Sequence, residues 1–272
     1  MASRSATTLS ESRLAAAWSR LHAAGRTALI PYLTAGYPSA DASLGALRAA
    51  ATHCDILEVG VPFSDPLADG PTIQRSTFEA LRQGMTLAGT LDLIARAGLD
   101  RPIVVFSYLN PILRYGLARF LRDAEALDVA GLLLTDLPAG SDPAVEDAVG
   151  ASRLDLIRLI APTTRPERLT QAVAGAGGFV YLVARLGVTG ASSALAPDLP
   201  GTIARVRAAT PLPVAVGFGI STPAQASTVA GLADGVVVGS ALVDALGRGG
   251  VSAADAFLRS LREAVDGGEA AR

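Results

Sequence analysis

The sequence contains no lysine: all 23 basic residues among its 272 are arginine. That absence excludes Schiff-base aldolase chemistry, a covalent pyridoxal phosphate site and the phosphate-binding lysine of a P-loop. Cysteine occurs once, as Cys54, which excludes a disulfide framework and a cysteine-based zinc site. Histidine is limited to His22 and His53, so a Ser-His-Asp triad or a His-rich metal centre would have to use one of the two. Carboxylates are left as the acid–base groups, and no metal is expected. No apolar run reaches the ~18 residues of a membrane span. The opening MASRSATTLSESRLAAAW lacks the continuous apolar core of a signal peptide. The expectation is a cytoplasmic protein with no membrane contact. The 25 acids against 23 bases leave no basic excess to hold nucleic acid.

What the sequence does have is a repeating rhythm. Short β-rich runs recur at 27–34, 55–61, 103–108, 131–136, 154–161, 178–184, 212–219 and 234–241. Most are continuously apolar, as expected of parallel strands buried on both faces. Ala/Leu/Arg segments with helical spacing lie between them, at 41–51, 77–97, 116–128, 142–150, 165–175, 200–209 and 222–231. Thr8 and Glu11 have capping-box spacing ahead of a helical pattern running to about Ala24. Eight strands alternating with helices predict a single (β/α)8 TIM barrel with an additional N-terminal helix. It would fill 1–272 as one domain, with flexible ends at 1–8 and 267–272. The rival is a doubly wound open sheet. Its glycine fingerprint should follow the first strand, but the only similar string, GFGIST at 217–222, follows the seventh.

Two β-to-α connections, 61–76 and 185–200, exceed the ~2–6 residues usual in such units. Both fall at the carboxyl-end face, where barrels keep their active sites, so each reads as a lid or partner surface, or else as a solvated insertion. Glu58 stands in the otherwise apolar strand ILEVGV. Lost hydration would raise its pKa and suit it to proton transfer, unless it is simply a satisfied buried acid. Asp65 and Asp69 follow in the loop; alone each would shape a turn, but two carboxylates at one mouth can divide binding from proton transfer. The strand ends GFGIS (217–221) and GSA (239–241) suit a backbone phosphate cradle or merely tight turns. Tyr32, Phe106, Tyr108, Leu133, Ile160 and Tyr181 fall on strands or their ends, where they wall a pocket or fill the core. His53 and Cys54 precede the second strand, at the opposite face, and read as structural. These features predict a barrel enzyme that uses carboxylate acid–base catalysis on a small phosphate-bearing substrate.

LEVGVPFSDPLADGPTIQ (57–74) closely resembles the signature of the tryptophan synthase α subunit family. PYLTAGYP (31–38), YLNPILRYG (108–116), LLLTDLP (132–138), YLVARLGVTGA (181–191), GFGIS (217–221) and VVVGSALV (236–243) extend the resemblance over nearly the whole chain. It implies retro-aldol cleavage of indole-3-glycerol phosphate to indole and glyceraldehyde 3-phosphate. Glu58 matches the general acid–base and Asp69 the carboxylate at the indole N–H. Gly190, Gly219, Gly239 and Ser240 match phosphate-binding positions. Tyr32, Phe106, Tyr108, Leu133, Thr135, Ile160 and Tyr181 match the indole pocket. The loop from Arg185 matches a lid that closes through Thr189 onto the aspartate, with departures at Leu186 and in the Ala/Ser-rich 191–196. Protonation at indole C3 makes the ring its own electron sink, which agrees with the absence of lysine. The implied partner is the β subunit in an α2β2 complex, contacted around Asp65, Pro66, Asn110 and Pro111. Pyridoxal phosphate would belong to that partner, and this chain would carry no cofactor. Two alternatives are a stand-alone lyase releasing free indole, and an idle barrel kept to activate the β subunit, against which intact Glu58 and Asp69 weigh.

Overall fold

The computed structural model describes residues 12–184, 198–217 and 219–268. Eight parallel strands form a closed barrel in chain order: β1 (Ala28–Thr34), β2 (Leu57–Gly60), β3 (Ile103–Ser107), β4 (Gly131–Leu134), β5 (Asp155–Ile160), β6 (Val180–Val183), β7 (Val214–Gly217) and β8 (Gly235–Val238), which returns to β1. The open-sheet alternative is thereby excluded. Around the barrel run α1 (Arg13–Ala23), α2 (Ala40–His53), α3 (Pro71–Arg82), α4 (Leu87–Ala97), α5 (Leu109–Tyr115), α6 (Leu117–Ala126), α7 (Pro143–Ala151), α8 (Pro166–Ala172), α9 (Leu199–Ala209), α10 (Pro223–Ala230) and α11 (Ser240–Gly267).

Local chemistry explains where these elements begin. Ser39, Thr86 and Asp142 each accept a hydrogen bond from the backbone N–H three residues on, supplying an acceptor the first helical turn lacks. Ser12 does the same for α1 by accepting from Ala15 N–H. The Thr8–Glu11 capping box expected there lies outside the described residues, as do 1–8 and 269–272. The one capping box among the described residues opens α10, where Thr222 and Gln225 cap each other's backbone. The strand residues are almost all buried, because the barrel interior covers one face and the helices cover the other.

Three details differ from the sequence reading. The single helix expected over 77–97 is two, α3 and α4, because the chain turns through Gly84 at φ +84°. The segment 109–115 forms α5, which tolerates Pro111 since a first-turn residue donates no intrahelical bond. A further helix, α11, follows β8, with Gly250 breaking its helical backbone.

Helix α1 plugs the amino end of the barrel. Trp18 stacks edge-on with Phe179 at 5.7 Å between centroids and lies so close to Gly235 that a Cβ there would collide with its ring. The carboxyl end is thus the open one, and the active-site candidates gather there.

Candidate active site

Strand β2 places Glu58 beside Tyr32 of β1 and Val104 of β3 in the parallel register. Its side chain is 1 % exposed, and neither carboxylate oxygen has a hydrogen-bond partner among the described residues. Burial alone pushes its pKa up to about 8, so the acid is neutral at pH 7. Asp69, 6 % exposed, stands in the loop between β2 and α3. Burial pushes its pKa up to about 6, opposed by a hydrogen bond from the Tyr108 hydroxyl. The two carboxyls therefore hold different protonation states between about pH 6 and 8, through unequal burial and one phenol.

The loop that carries Asp69 is held at three points. Tyr108 Oη accepts from the Ala68 N–H at 2.9 Å. Gln74 Nε2 donates to the Asp69 carbonyl at 2.9 Å, and the Asp69 N–H donates to the Pro66 carbonyl at 3.1 Å. Gly70 and Pro71 then start α3 at once, with proline at a position that has no N–H to satisfy.

A cavity of about 370 Å³ opens between these groups, within the range that holds a small molecule. Glu58, Asp69, Tyr32, Phe106 and Tyr181 line it together with Gly219, Gly239 and Ser240. Tyr32 meets Phe106 edge-on at 5.2 Å. A Cβ on Gly60 would strike the Tyr32 hydroxyl, and one on Gly217 the Tyr181 hydroxyl, so these two glycines make room for the tyrosines. Burial, together with the nearby negative charge of Glu58 and Asp69, holds both phenols above their ordinary range. The tyrosines are neutral walls.

The glycine corner differs from its neighbour. The start of α10 is closed by its own capping box, and the Ser221 N–H is already given to Gln225 Oε1 at 2.8 Å. The start of α11 has only Gly239 as cap and no side-chain acceptor. Ser240 and Ala241 of its first turn line the cavity, and a helix N-terminus favours negative charge.

Other expected positions fall elsewhere. Tyr108 does not line the cavity but steers Asp69. Leu133 and Ile160 are buried in the hydrophobic core, Leu133 in register with Phe106 and Ile157. Strand β4 ends at Leu134, and Thr135 lines a separate cavity of about 580 Å³ with Arg158 and Arg165. Arg185, Thr189 and Gly190, with the expected lid, lie outside the described residues. Sequence reasoning missed Pro71, Thr72, Ile73, Ile220 and Val237 in the lining; the Gly70-Pro71 helix start was the available signal for the first three. His53 pairs with Asp255 at 2.8 Å, and Cys54 is buried with its thiol pushed up to about 12, as befits an inert core sulfur. Among the described residues no group of three or more His, Cys, Asp or Glu is placed to hold a metal, and no helix is long and apolar enough to cross a membrane.

A family model described as tryptophan synthase alpha chain matches residues 18–267. The chain belongs to the tryptophan synthase alpha chain family. It is 49 % identical over 242 residues to the tryptophan synthase alpha chain of Acidiphilium cryptum, covering 88 % of each chain, and 46 % identical over 262 residues to that of Chloroflexus aurantiacus, covering 93 % of this chain and 98 % of the relative. Tryptophan synthase of Mycobacterium tuberculosis superposes with a TM-score of 0.86 at 43 % identity, covering 93 % of this chain and 98 % of that one. The tryptophan synthase alpha subunit of Legionella pneumophila gives 0.86 at 32 % identity, covering 94 % and 99 %.

Proposed function

We propose that the chain, folded as one domain, is an indole-3-glycerol phosphate lyase acting as the α subunit of tryptophan synthase. The observation that carries this reading is Glu58: a fully buried carboxyl with no partner, opening on a cavity whose other wall suits a phosphate.

The roles follow from protonation. Glu58 enters neutral and gives its proton to indole C3, leaving a cationic ring. Asp69 enters ionised and stabilises the positive charge at the ring N–H. The Glu58 carboxylate then takes the proton of the hydroxyl on the side-chain carbon next to the ring. The bond between that carbon and C3 breaks, its electron pair returns to the ring, and the oxygen becomes the aldehyde of glyceraldehyde 3-phosphate. Glu58 ends protonated, so the proton count closes. Tyr32, Phe106 and Tyr181 wall the ring, Tyr108 holds Asp69, and Gly219, Gly239 and Ser240 hold the phosphate by backbone N–H groups, with Gly190 joining them.

The chain uses no cofactor or metal of its own and works in the cytoplasm. Indole passes to the β subunit, which holds the pyridoxal phosphate in an α2β2 complex. Leu67, a leucine 88 % exposed in the Asp69 loop beside Asp65 and Pro66, and half-exposed Leu113, near Asn110 and Pro111, give the partner an apolar foothold. The test is indole release from indole-3-glycerol phosphate by the purified chain, alone and with a β subunit. Slow cleavage that rises strongly with β is the expected result. Fast cleavage alone would mark a free lyase, and none in either condition would remove the activity.

A further inference from the structure

Helix α3 begins two residues after Asp69, and α11 begins at the phosphate corner; Asp244 ties the two together. Its Oδ1 accepts from Arg75 Nη2 at 2.6 Å and its Oδ2 from Thr72 Oγ1 at 3.2 Å. Thr72 itself lines the cavity. The Tyr37 hydroxyl, from the loop after β1, lies near Arg75. Asp244 thus joins two helices that both contribute residues to the cavity lining, although 169 residues separate it from Arg75.

The same carboxylate has an electrostatic cost. It lies four residues past Ser240, about 6 Å along the axis of the helix whose N-terminus faces the cavity. The first turn of α11 contains no acid. An unscreened negative charge at Asp244 would oppose a phosphate at that N-terminus, and Arg75 supplies the opposite charge.

We propose that Asp244 is a positioning residue that holds the Asp69 loop against the phosphate-binding helix, and that Arg75 screens its charge from the substrate phosphate. This rests on the phosphate reading of the Gly239–Ser240 corner. The two partners of one ion pair should therefore act on phosphate affinity in different directions.

The experiment measures kcat with indole-3-glycerol phosphate and the competitive inhibition constants of glyceraldehyde 3-phosphate and indole, in the complex with the β subunit. Arg75→Gln should raise the glyceraldehyde 3-phosphate constant about three- to tenfold and leave the indole constant unchanged, with the difference shrinking as salt is added. Asp244→Asn should leave the phosphate product bound as well or better, but lower kcat about threefold as the loop loosens. The double variant R75Q/D244N should return the glyceraldehyde 3-phosphate constant to near the wild-type value. Arg75→Lys, which keeps the charge, should behave as wild type and guards against misfolding as the explanation. If both single variants shift both inhibitors in the same direction, the pair is only structural and the proposal is overturned. A wild type that glyceraldehyde 3-phosphate does not inhibit would overturn the phosphate corner itself, and the screen with it. Unchanged constants in the variants of an inhibited wild type would overturn the screen alone.

Discussion

At the amino end of the barrel Asp55 is surrounded by donors: its Oδ2 takes the Leu29 N–H at 2.9 Å and Arg262 Nη1 at 2.8 Å, and Arg262 reaches on to the Thr27 carbonyl at 3.2 Å. At the carboxyl end Glu58, more deeply buried, has no partner for either oxygen. The chain can evidently satisfy an inward-facing carboxylate, so the bare one at Glu58 is not a failure of packing. A buried acid without partners is held neutral by lost hydration and keeps a proton to give.

The hardest blow to this contrast is Glu58→Gln. It keeps the shape and removes the transferable proton, and cleavage should fall about 10²–10⁴-fold. Activity within tenfold of wild type would break the assigned mechanism. Stability should move the other way. The folded pKa of Glu58, about 8, lies above its unfolded value, so the folded state holds the proton more tightly. Its contribution is complete below about pH 4.5 and is lost as the pH rises through 8. Thermal melts from pH 5 to 9 should show the wild type losing ground against E58Q over that range. In the wild type, kcat/KM should be bell-shaped, with limbs near 6 for Asp69 ionising and near 8 for Glu58 losing its proton.

Asp69→Asn comes next. The amide keeps the hydrogen bond with Tyr108 but loses the negative charge, and a loss of about 10²-fold is expected in kcat, with the acid limb near pH 6 gone from the profile. An unaltered acid limb would assign that ionisation to another group.

How much of this contrast was legible beforehand depended on range. A lone acid in ILEVGV announces Glu58, because apolar neighbours on a parallel strand imply burial whatever the register. The eight strands were legible for the same reason, though several stop short of the apolar run that marked them. β4 ends at Leu134 and leaves Thr135 to a different cavity. The split between α3 and α4 was hidden because apolar positions continue in helical register on both sides of Gly84. Nothing local marks Asp244 or Arg262 as the partner of a residue 169 or 207 positions away. Those pairings come from barrel closure, which brings the last helix back against the first strands.

The amino-end pair offers the reverse experiment to E58Q. Asp55→Ala removes one of the two carboxylates that Arg262 pairs with, leaving it Asp266 and the Thr27 carbonyl, and leaves the Leu29 N–H without its side-chain acceptor. A loss of about 1–3 kcal/mol of stability is expected in denaturant unfolding, with kcat unchanged in the protein that remains folded. A fall in kcat without a fall in stability would erase the division between the two ends.

The smallest expected effect sharpens the contrast by testing a pair nearer solvent. His53, in the last turn of α2, contacts Asp255 Oδ1 at 2.8 Å, and Asp255 also takes Arg259 at 3.0 Å. The hydrogen bond from His53 holds the Asp255 carboxyl below its ordinary range, with help from Arg259. Both partners are partly exposed, so water screens them and His53→Ala should cost only about 0.2–1 kcal/mol at neutral pH. The sign of its pH dependence opposes that of Glu58. A carboxyl whose folded pKa is lowered contributes above its unfolded value and loses the contribution as the pH falls through the folded one. The gap between wild type and H53A should therefore close on acidification below the ordinary carboxylate range, while the gap between wild type and E58Q opens on the alkaline side. Melting both variants across one pH series separates the buried, unpartnered acid from the partly exposed, partnered one, and a wild type that loses against both in the same direction would show that partnering is not what distinguishes the two ends.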